Sequence, residues 1–332
     1  MLIRVDPIHP DPETMERAGR VLRDGWLVAF PTETVYGLGG NARDSAAIAR
    51  IYAAKGRPAT NPLIVHVAAI DDARELVESW PESASLLAEA FWPGPLTLVL
   101  TRRADVPSAL SAGLGTIAVR VPRHPVALAL IRAADVPIAA PSANRSNELS
   151  PVAAEHVVRS IGERVHTVLD GGPTHVGIES TVVDLTRGRP RVLRPGVIEA
   201  AQIAAIVGPL DEERADRDEH APKLSPGQMD RHYAPRARLV LASAGDEGAR
   251  QLMRAARARG ETVGLVSLGD LDLEADVAVM LPRDPRACAA RLYATLHACD
   301  DEGCALVVFE RPPTDASWAA IRDRLERAAF PG

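Results

Sequence analysis

Short runs rich in Val, Ile and Leu alternate along this chain with stretches whose apolar residues recur every three or four positions, and few architectures accommodate that rhythm. The runs at 25–31, 62–68, 96–101, 116–122, 136–142, 166–172, 180–186 and 190–196 have the length and β-branched content of strands. Helical spacing marks 12–25, 44–56, 81–91, 124–135 and 151–162, several of them opening with Pro or Asp near the first turn. Strands apolar on both faces need helices to cover them, so the pattern predicts an α/β fold with a twisted sheet and covering helices. The later runs follow one another without helices between them, which predicts a mixed, partly antiparallel sheet. Beyond residue 237 the alternation is cleaner, with strands at 237–243, 262–268, 276–282 and 304–310 and helices at 246–260, 284–298 and 317–329. That region reads as a smaller, parallel, Rossmann-like α/β domain, although it has no G-x-G-x-x-G fingerprint.

A chain of 332 residues is long enough for two domains, and the pattern places them at 1–210 and 237–332. Between them, residues 211–236 form a linker whose first ten positions carry six acidic residues and two arginines and hold no large apolar side chain. The 38 basic and 44 acidic residues leave a net charge of −6, so no stable binding to nucleic acid is expected. No apolar stretch approaches the roughly 20 residues that span a bilayer, and the first residues lack an apolar signal core, so a cytoplasmic protein with no membrane partner is expected. Cys288, Cys299 and Cys304 form no C-x-x-C pair. Together with His297 they offer a conceivable metal site, but the spacing favours buried core thiols, and no metal-ligating side chain is expected. The P-loop, G-x-S-x-G and H-E-x-x-H motifs are missing.

Thirty-six of the 38 basic residues are Arg, leaving only Lys55 and Lys223, and there are four Asn, namely Asn41, Asn61, Asn144 and Asn147. Coding bias explains such scarcity, and the survivors mark places where a compact ammonium or an amide is needed. Lys55 and Arg57 flank Gly56 at a predicted helix end, where they would clamp a polyphosphate or else merely complement the helix dipole; Asn61 follows closely. Three serines and two asparagines crowd the segment Ser142–Ser150, before a helix predicted to begin near Pro151. The segment Phe30–Gly40 offers two threonine hydroxyls, the Glu33 carboxylate and the Tyr36 phenol among glycines that would let a ligand approach the backbone, or else forms a strand-to-helix turn with capping hydroxyls. Smaller candidates are His66, Thr116, Arg120, Gly177–Thr181 and Arg194. His66 alternates with valines and reads equally as a core or a site residue, and an inward Arg120 needs an anionic partner.

Taken in order, P-T-E-T-V-Y-G-L-G, K-G-R-P with N-P-L, P-S-A-N and S-P-G-Q-M-D-R-H-Y-A-P resemble the YrdC/Sua5 family of threonylcarbamoyl-AMP synthases, in its long two-domain form. The resemblance carries the K-x-R pair, Lys55 and Arg57, the S-x-N pair, Ser142 and Asn144, and covers essentially the whole chain. It implies a YrdC-like catalytic domain followed by a Sua5-type C-terminal domain. The implied activity is synthesis of threonylcarbamoyl-AMP from L-threonine, bicarbonate and ATP with Mg²⁺, releasing pyrophosphate, for threonylcarbamoyl-adenosine at position 37 of tRNA. A downstream tRNA threonylcarbamoyl-transferase machinery is then the functional partner. The resemblance further implies that ATP meets Lys55, Arg57, Asn61, Thr116, Ser142, Asn144, Ser150, Arg194 and Tyr233, with Lys55 and Arg57 catalytic. Threonine would meet Thr34, His66, Arg120, Ala140 and Ser180, and residues 225–236 would act as a lid. The competing readings are a carbamoyl-adenylate-forming enzyme, as in YrdC-like modules of hydrogenase maturation factors, and a non-catalytic RNA-binding, translation-associated module.

Overall fold

The strands predicted in the first region are joined by two that the pattern did not reveal. The computed structural model describes residues 1–211, 232–269 and 273–330. Among these, ten strands make one sheet: β1 (Leu2–Arg4), β2 (Val28–Phe30), β3 (Gly37–Asn41), β4 (Ile64–His66), β5 (Leu96–Thr101), β6 (Thr116–Arg120), β7 (Ile138–Ala139), β8 (Thr167–Asp170), β9 (Thr181–Asp184) and β10 (Arg191–Arg194). Their order is β1-β8-β2-β3-β7-β4-β6-β5-β9-β10. Pairing is mixed, as expected: β4 and β6 run parallel, while β7 is antiparallel to both β3 and β4, and β10 is antiparallel to β9.

Both faces of the sheet are covered. Val28 and Phe30 of β2 pack with Met15, Leu22, Val126 and Leu130 on one side, and Ala29 between them packs with Leu38, Ile48 and Ile51 on the other. Burying Phe30 completely contributes on the order of 1.5–3 kcal/mol. The helices Pro12–Arg23 and Pro125–Ala134 lie so close that a Cβ on Gly19 would stand 2.7 Å from the Ala133 carbonyl.

Strand β3 corrects the reading of its glycines as a place for ligand approach. A Cβ on Gly39 would meet Ile138 Cγ2 and Phe30 Cε1, both at 2.9 Å, and one on Gly40 would meet Ile51 Cδ1 at 3.0 Å. The glycines admit the protein's own side chains against a central strand, and the run escapes the propensity pattern because glycine is a poor strand former. The helix predicted to begin near Pro151 begins at Ala154, with Ala153 at its cap position.

Packing assigns residues Met1–Ser146, Pro151–His175 and the chain from Glu179 to the first unit, and Asn147–Ser150, Val176–Ile178 and the chain from His232 to the second. The second unit has four parallel strands among the described residues, β11 (Arg238–Ala242), β12 (Val263–Ser267), β13 (Val277–Met280) and β14 (Leu306–Glu310), in the order β11-β14-β12-β13. The two short inserts pack within it. Asn147 O accepts from Ala234 N at 2.9 Å, Ser150 O lies 3.1 Å from His297 Nε2, and Gly177 is so tight on the helix Pro285–Asp301 that a Cβ would fall 2.4 Å from Ala289 O. The three cysteines are buried, and burial pushes the Cys288 and Cys299 thiols up to about 12, as expected of core thiols. Most of the predicted linker, including Lys223 and the S-P-G-Q-M-D-R portion of its motif, lies outside the described residues, so the lid reading finds only His232 to Arg236 described.

Candidate functional site

Helix Ser45–Lys55 is capped by Asp44, whose Oδ1 accepts from Ala46 N at 2.8 Å, and ends on Gly56, which takes the left-handed conformation at φ 59°. That termination delivers Lys55 to the segment following β7. The buried ammonium donates to Ser142 O at 2.6 Å and to Asn144 O at 2.5 Å, while Lys55 O accepts from Ser146 N at 2.8 Å. The two halves of the K-x-R and S-x-N signature are thus bound to each other. Dipole compensation alone would not require that reach across the fold.

Arg57 folds back on its own loop. Its Nε donates to Asn61 O at 3.0 Å, and its Nη2 to Asn61 Oδ1 at 2.6 Å and Pro62 O at 2.8 Å, all buried. Two residues predicted for a nucleotide therefore hold one another's geometry. Arg194, at the end of β10, donates from Nε to Ser180 O and from Nη2 to Ser180 Oγ, each at 3.1 Å. Sequence reasoning placed Ser180 with threonine and Arg194 with ATP; the structure joins them, and Ser180 Oγ also lies 2.8 Å from Thr97 Oγ1.

A second cluster forms where β4 and β6 run side by side. His66 pairs with Arg120 in register, so both side chains leave the same face of the sheet. Arg120, 3% exposed, donates from Nε to Gly94 O at 3.1 Å and from Nη1 to Thr34 Oγ1 at 3.0 Å. Its Nη2 lies 2.8 Å from Glu33 Oε1, an ion pair whose side chains are 4% and 8% exposed. The anionic partner that Arg120 demanded is thus Glu33, which sequence reasoning did not carry into the site. The valines on either side of Arg120 were the signal for it. Burial first, and the Arg120 charge second, push His66 down to about 3, so its imidazole is neutral. Its Nδ1 is buried and has no hydrogen-bond partner among the described residues.

The remaining predicted residues are more dispersed. Ala140 N donates to Ile64 O at 2.9 Å, fixing the backbone after β7. Thr116, half-buried, opens β6 opposite Thr101 and makes no hydrogen bond with the other predicted residues. Ser150 and Tyr233 belong to the second unit, where Tyr233 is buried at φ 62° with the Arg324 guanidinium 5.1 Å from its ring centre. The Tyr36 phenol, expected to face a ligand, instead donates to Gly172 O at 2.7 Å, and burial raises its pKa. Among the described residues, no group of three or more His, Cys, Asp or Glu is placed to hold a metal ion, and no helix is long and apolar enough to cross a membrane.

A mixed sheet that brings buried cations against threonine, serine and asparagine groups, followed by a small parallel α/β unit, defines the class: a two-unit α/β protein with clustered buried cations and hydroxyls. Residues 20–196 match the family model described as telomere recombination, and residues 198–330 match the model described as the C-terminal domain of threonylcarbamoyl-AMP synthase. The chain belongs to the YrdC/Sua5 family of threonylcarbamoyl-AMP synthases, in the two-domain form. It is 41% identical to the threonylcarbamoyl-AMP synthase of Bacillus subtilis over 98% of this chain and 95% of that one. The enzyme of the same name from Pyrococcus abyssi is 40% identical over 94% and 93%. The crystal structure of the Pyrococcus abyssi Sua5 protein complexed with L-threonine superposes with a TM-score of 0.90 at 38% identity, covering 99% of this chain and 97% of that one.

Proposed function

We propose that this chain makes threonylcarbamoyl-AMP from L-threonine, bicarbonate and ATP, releasing pyrophosphate, as the first committed step toward threonylcarbamoyl-adenosine at position 37 of tRNA. The observation that carries the reading is the buried Thr34–Arg120–Glu33 cluster, in a chain alignable almost end to end with a relative whose structure holds L-threonine. A guanidinium beside a hydroxyl suits the carboxylate and polar groups of an amino acid. His66, the Ala140 backbone and Ser180 complete the proposed threonine set. Selectivity would come from satisfying the side-chain hydroxyl, because an unpaired buried donor discriminates more strongly than a lost methyl contact.

ATP would engage Lys55, Arg57, Asn61, Thr116, Ser142, Asn144, Ser150 and Arg194, with Tyr233 from the linker. The neutral amine of threonine adds to bicarbonate-derived carbon dioxide, and a carbamate oxygen attacks the α-phosphorus as pyrophosphate leaves. The adenylyl group is transferred without a covalent enzyme intermediate, so the activity is that of a nucleotidyltransferase. The protein's part is positioning and charge stabilisation by Lys55, Arg57 and Arg194. Lys55 does so in part by holding the Ser142 and Asn144 backbone. Mg²⁺ would enter with the nucleotide and neutralise polyphosphate charge; no side chain is assigned to it, and the described residues hold no group of three or more His, Cys, Asp or Glu that would bind it without the nucleotide. Buried free thiols suit the reducing cytoplasm, where the product would pass to the tRNA-modifying machinery. Incubation with ATP, Mg²⁺, bicarbonate and each amino acid in turn tests the reading: threonine-dependent pyrophosphate release is expected, and release indifferent to the amino acid refutes it.

A further inference from the structure

Thr32 is 2% exposed and lies behind the proposed threonine cluster. Its Oγ1 is 2.7 Å from Val35 O and 2.8 Å from Thr34 Oγ1, and it accepts from Thr34 N at 3.1 Å and Val35 N at 3.2 Å. A hydroxyl has one hydrogen. Val35 O can only accept, so the Thr32 hydrogen is directed there; the 2.8 Å contact with Thr34 is the shortest that Thr32 can accept and is served by the Thr34 hydrogen, while the two backbone N–H groups at 3.1 and 3.2 Å share the second lone pair. Arg120 Nη1 can only donate, so Thr34 accepts from it at 3.0 Å. One lone pair of Thr34 remains for substrate, and no hydrogen. Of the five N–H hydrogens of Arg120, one goes to Gly94 O, one to Thr34 and one faces Glu33, which leaves one on each terminal nitrogen.

We infer that Thr32 is a positioning residue for the amino-acid substrate, fixing the Thr34 hydroxyl so that it meets substrate only as a hydrogen-bond acceptor. The inference rests on the threonine reading above and deepens it. Arg120 then offers donors alone and Thr34, 3.0 Å away, an acceptor alone. That polarity suits a zwitterionic amino acid docked in one sense: carboxylate on Arg120, an N–H or O–H hydrogen toward Thr34. With Thr32 unable to hold it, the Thr34 hydroxyl is free to turn its hydrogen toward the substrate donor.

The test is steady-state pyrophosphate release by Thr32→Val and Thr32→Ala, with threonine binding followed separately by calorimetry. The KM for threonine should rise about five- to tenfold, the effect of losing one hydrogen bond. The values of kcat and of KM for ATP should stay within about twofold, and Thr32→Ser, which keeps the hydroxyl, should stay within about twofold throughout. A folded Thr32→Val or Thr32→Ala with unchanged threonine KM overturns the inference. So does an equal rise in KM for ATP, which would mark a merely structural role, or a Thr32→Ser as impaired as the others. Wild-type protein that turns over threonine while the variants match it removes the inference alone. Wild-type protein that neither binds nor consumes threonine removes the reading beneath it as well.

Discussion

Replacing Glu33 by Ala should strand the Arg120 guanidinium. The pair is separated by 2.8 Å with side chains 4% and 8% exposed, and at an effective dielectric of about 20 the gross attraction is about 6 kcal/mol. Desolvation of both ions offsets most of it, so the net worth of the pair is small. Removing one partner is different, because the other charge stays buried, and such losses run to about 3–5 kcal/mol. For a unit of this size that corresponds to a fall in melting temperature of about 6–20 °C. Arg120→Ala should cost a similar amount, and the double variant less than the sum of the two by about 2 kcal/mol or more, because no charge is then left alone. Urea unfolding followed by tryptophan fluorescence in a Trp318→Phe background reads the first unit, since Trp26, Trp80 and Trp92 lie there and Trp318 in the second. A Glu33→Ala cost below about 1 kcal/mol, or additivity of the two single variants within about 0.5 kcal/mol, refutes the description of a desolvated, coupled pair.

Lys55→Arg should lower pyrophosphate release at least tenfold, because a planar fork cannot occupy a site that holds an ammonium 2.6 and 2.5 Å from two carbonyls; wild-type turnover would show that the point charge is not required. His66 is held at about 3 in the folded chain against 6.5 for the free side chain. As pH falls the unfolded state binds its proton first, so the stability this residue contributes is complete above about pH 6.5. It declines toward about pH 3, by about 1.4 kcal/mol per unit. Denaturant midpoints at pH 6 and pH 5 should therefore fall further for the wild type than for His66→Gln, and equal falls would show that the imidazole is not buried neutral. Gly39→Ala should cost about 1–3 kcal/mol through overpacking against Ile138 and Phe30, measured as a shift in urea midpoint; an unshifted midpoint would mean that β3 has room for the methyl group.

The elements most legible in the sequence were those whose periodicity is strong. The strand runs around Leu96–Thr101 and Thr116–Arg120, and helices such as Ser45–Lys55, appear where the apolar spacing put them. Strand β3 was hidden because Gly37, Gly39 and Gly40 carry no strand preference, and the neighbours that crowd Gly39 and Gly40, Ile138 and Ile51, are brought there by the fold. Within the site, Lys55 stood out through the scarcity of lysine and Arg120 through its apolar flanks. Thr32 and Glu33 were legible only as members of a polar segment and without a role, since nothing local distinguishes a threonine that orients another hydroxyl from one that caps a turn.

The sequence by itself determined the fold class, the two α/β regions, the family and the roll of cations and hydroxyls, because periodicity, composition and ordered motifs are properties of neighbouring residues. Only the tertiary structure decided which of those groups meet. Lys55 reaches Ser142 across 87 positions and Arg120 reaches Thr34 across 86, and each contact is settled by strand order and helix termination rather than by local pattern. The direction of the Thr34 hydroxyl, the partner of Arg120 and the joining of Ser180 to Arg194 follow from that packing, since a buried polar group takes whichever partner the fold brings within about 3 Å.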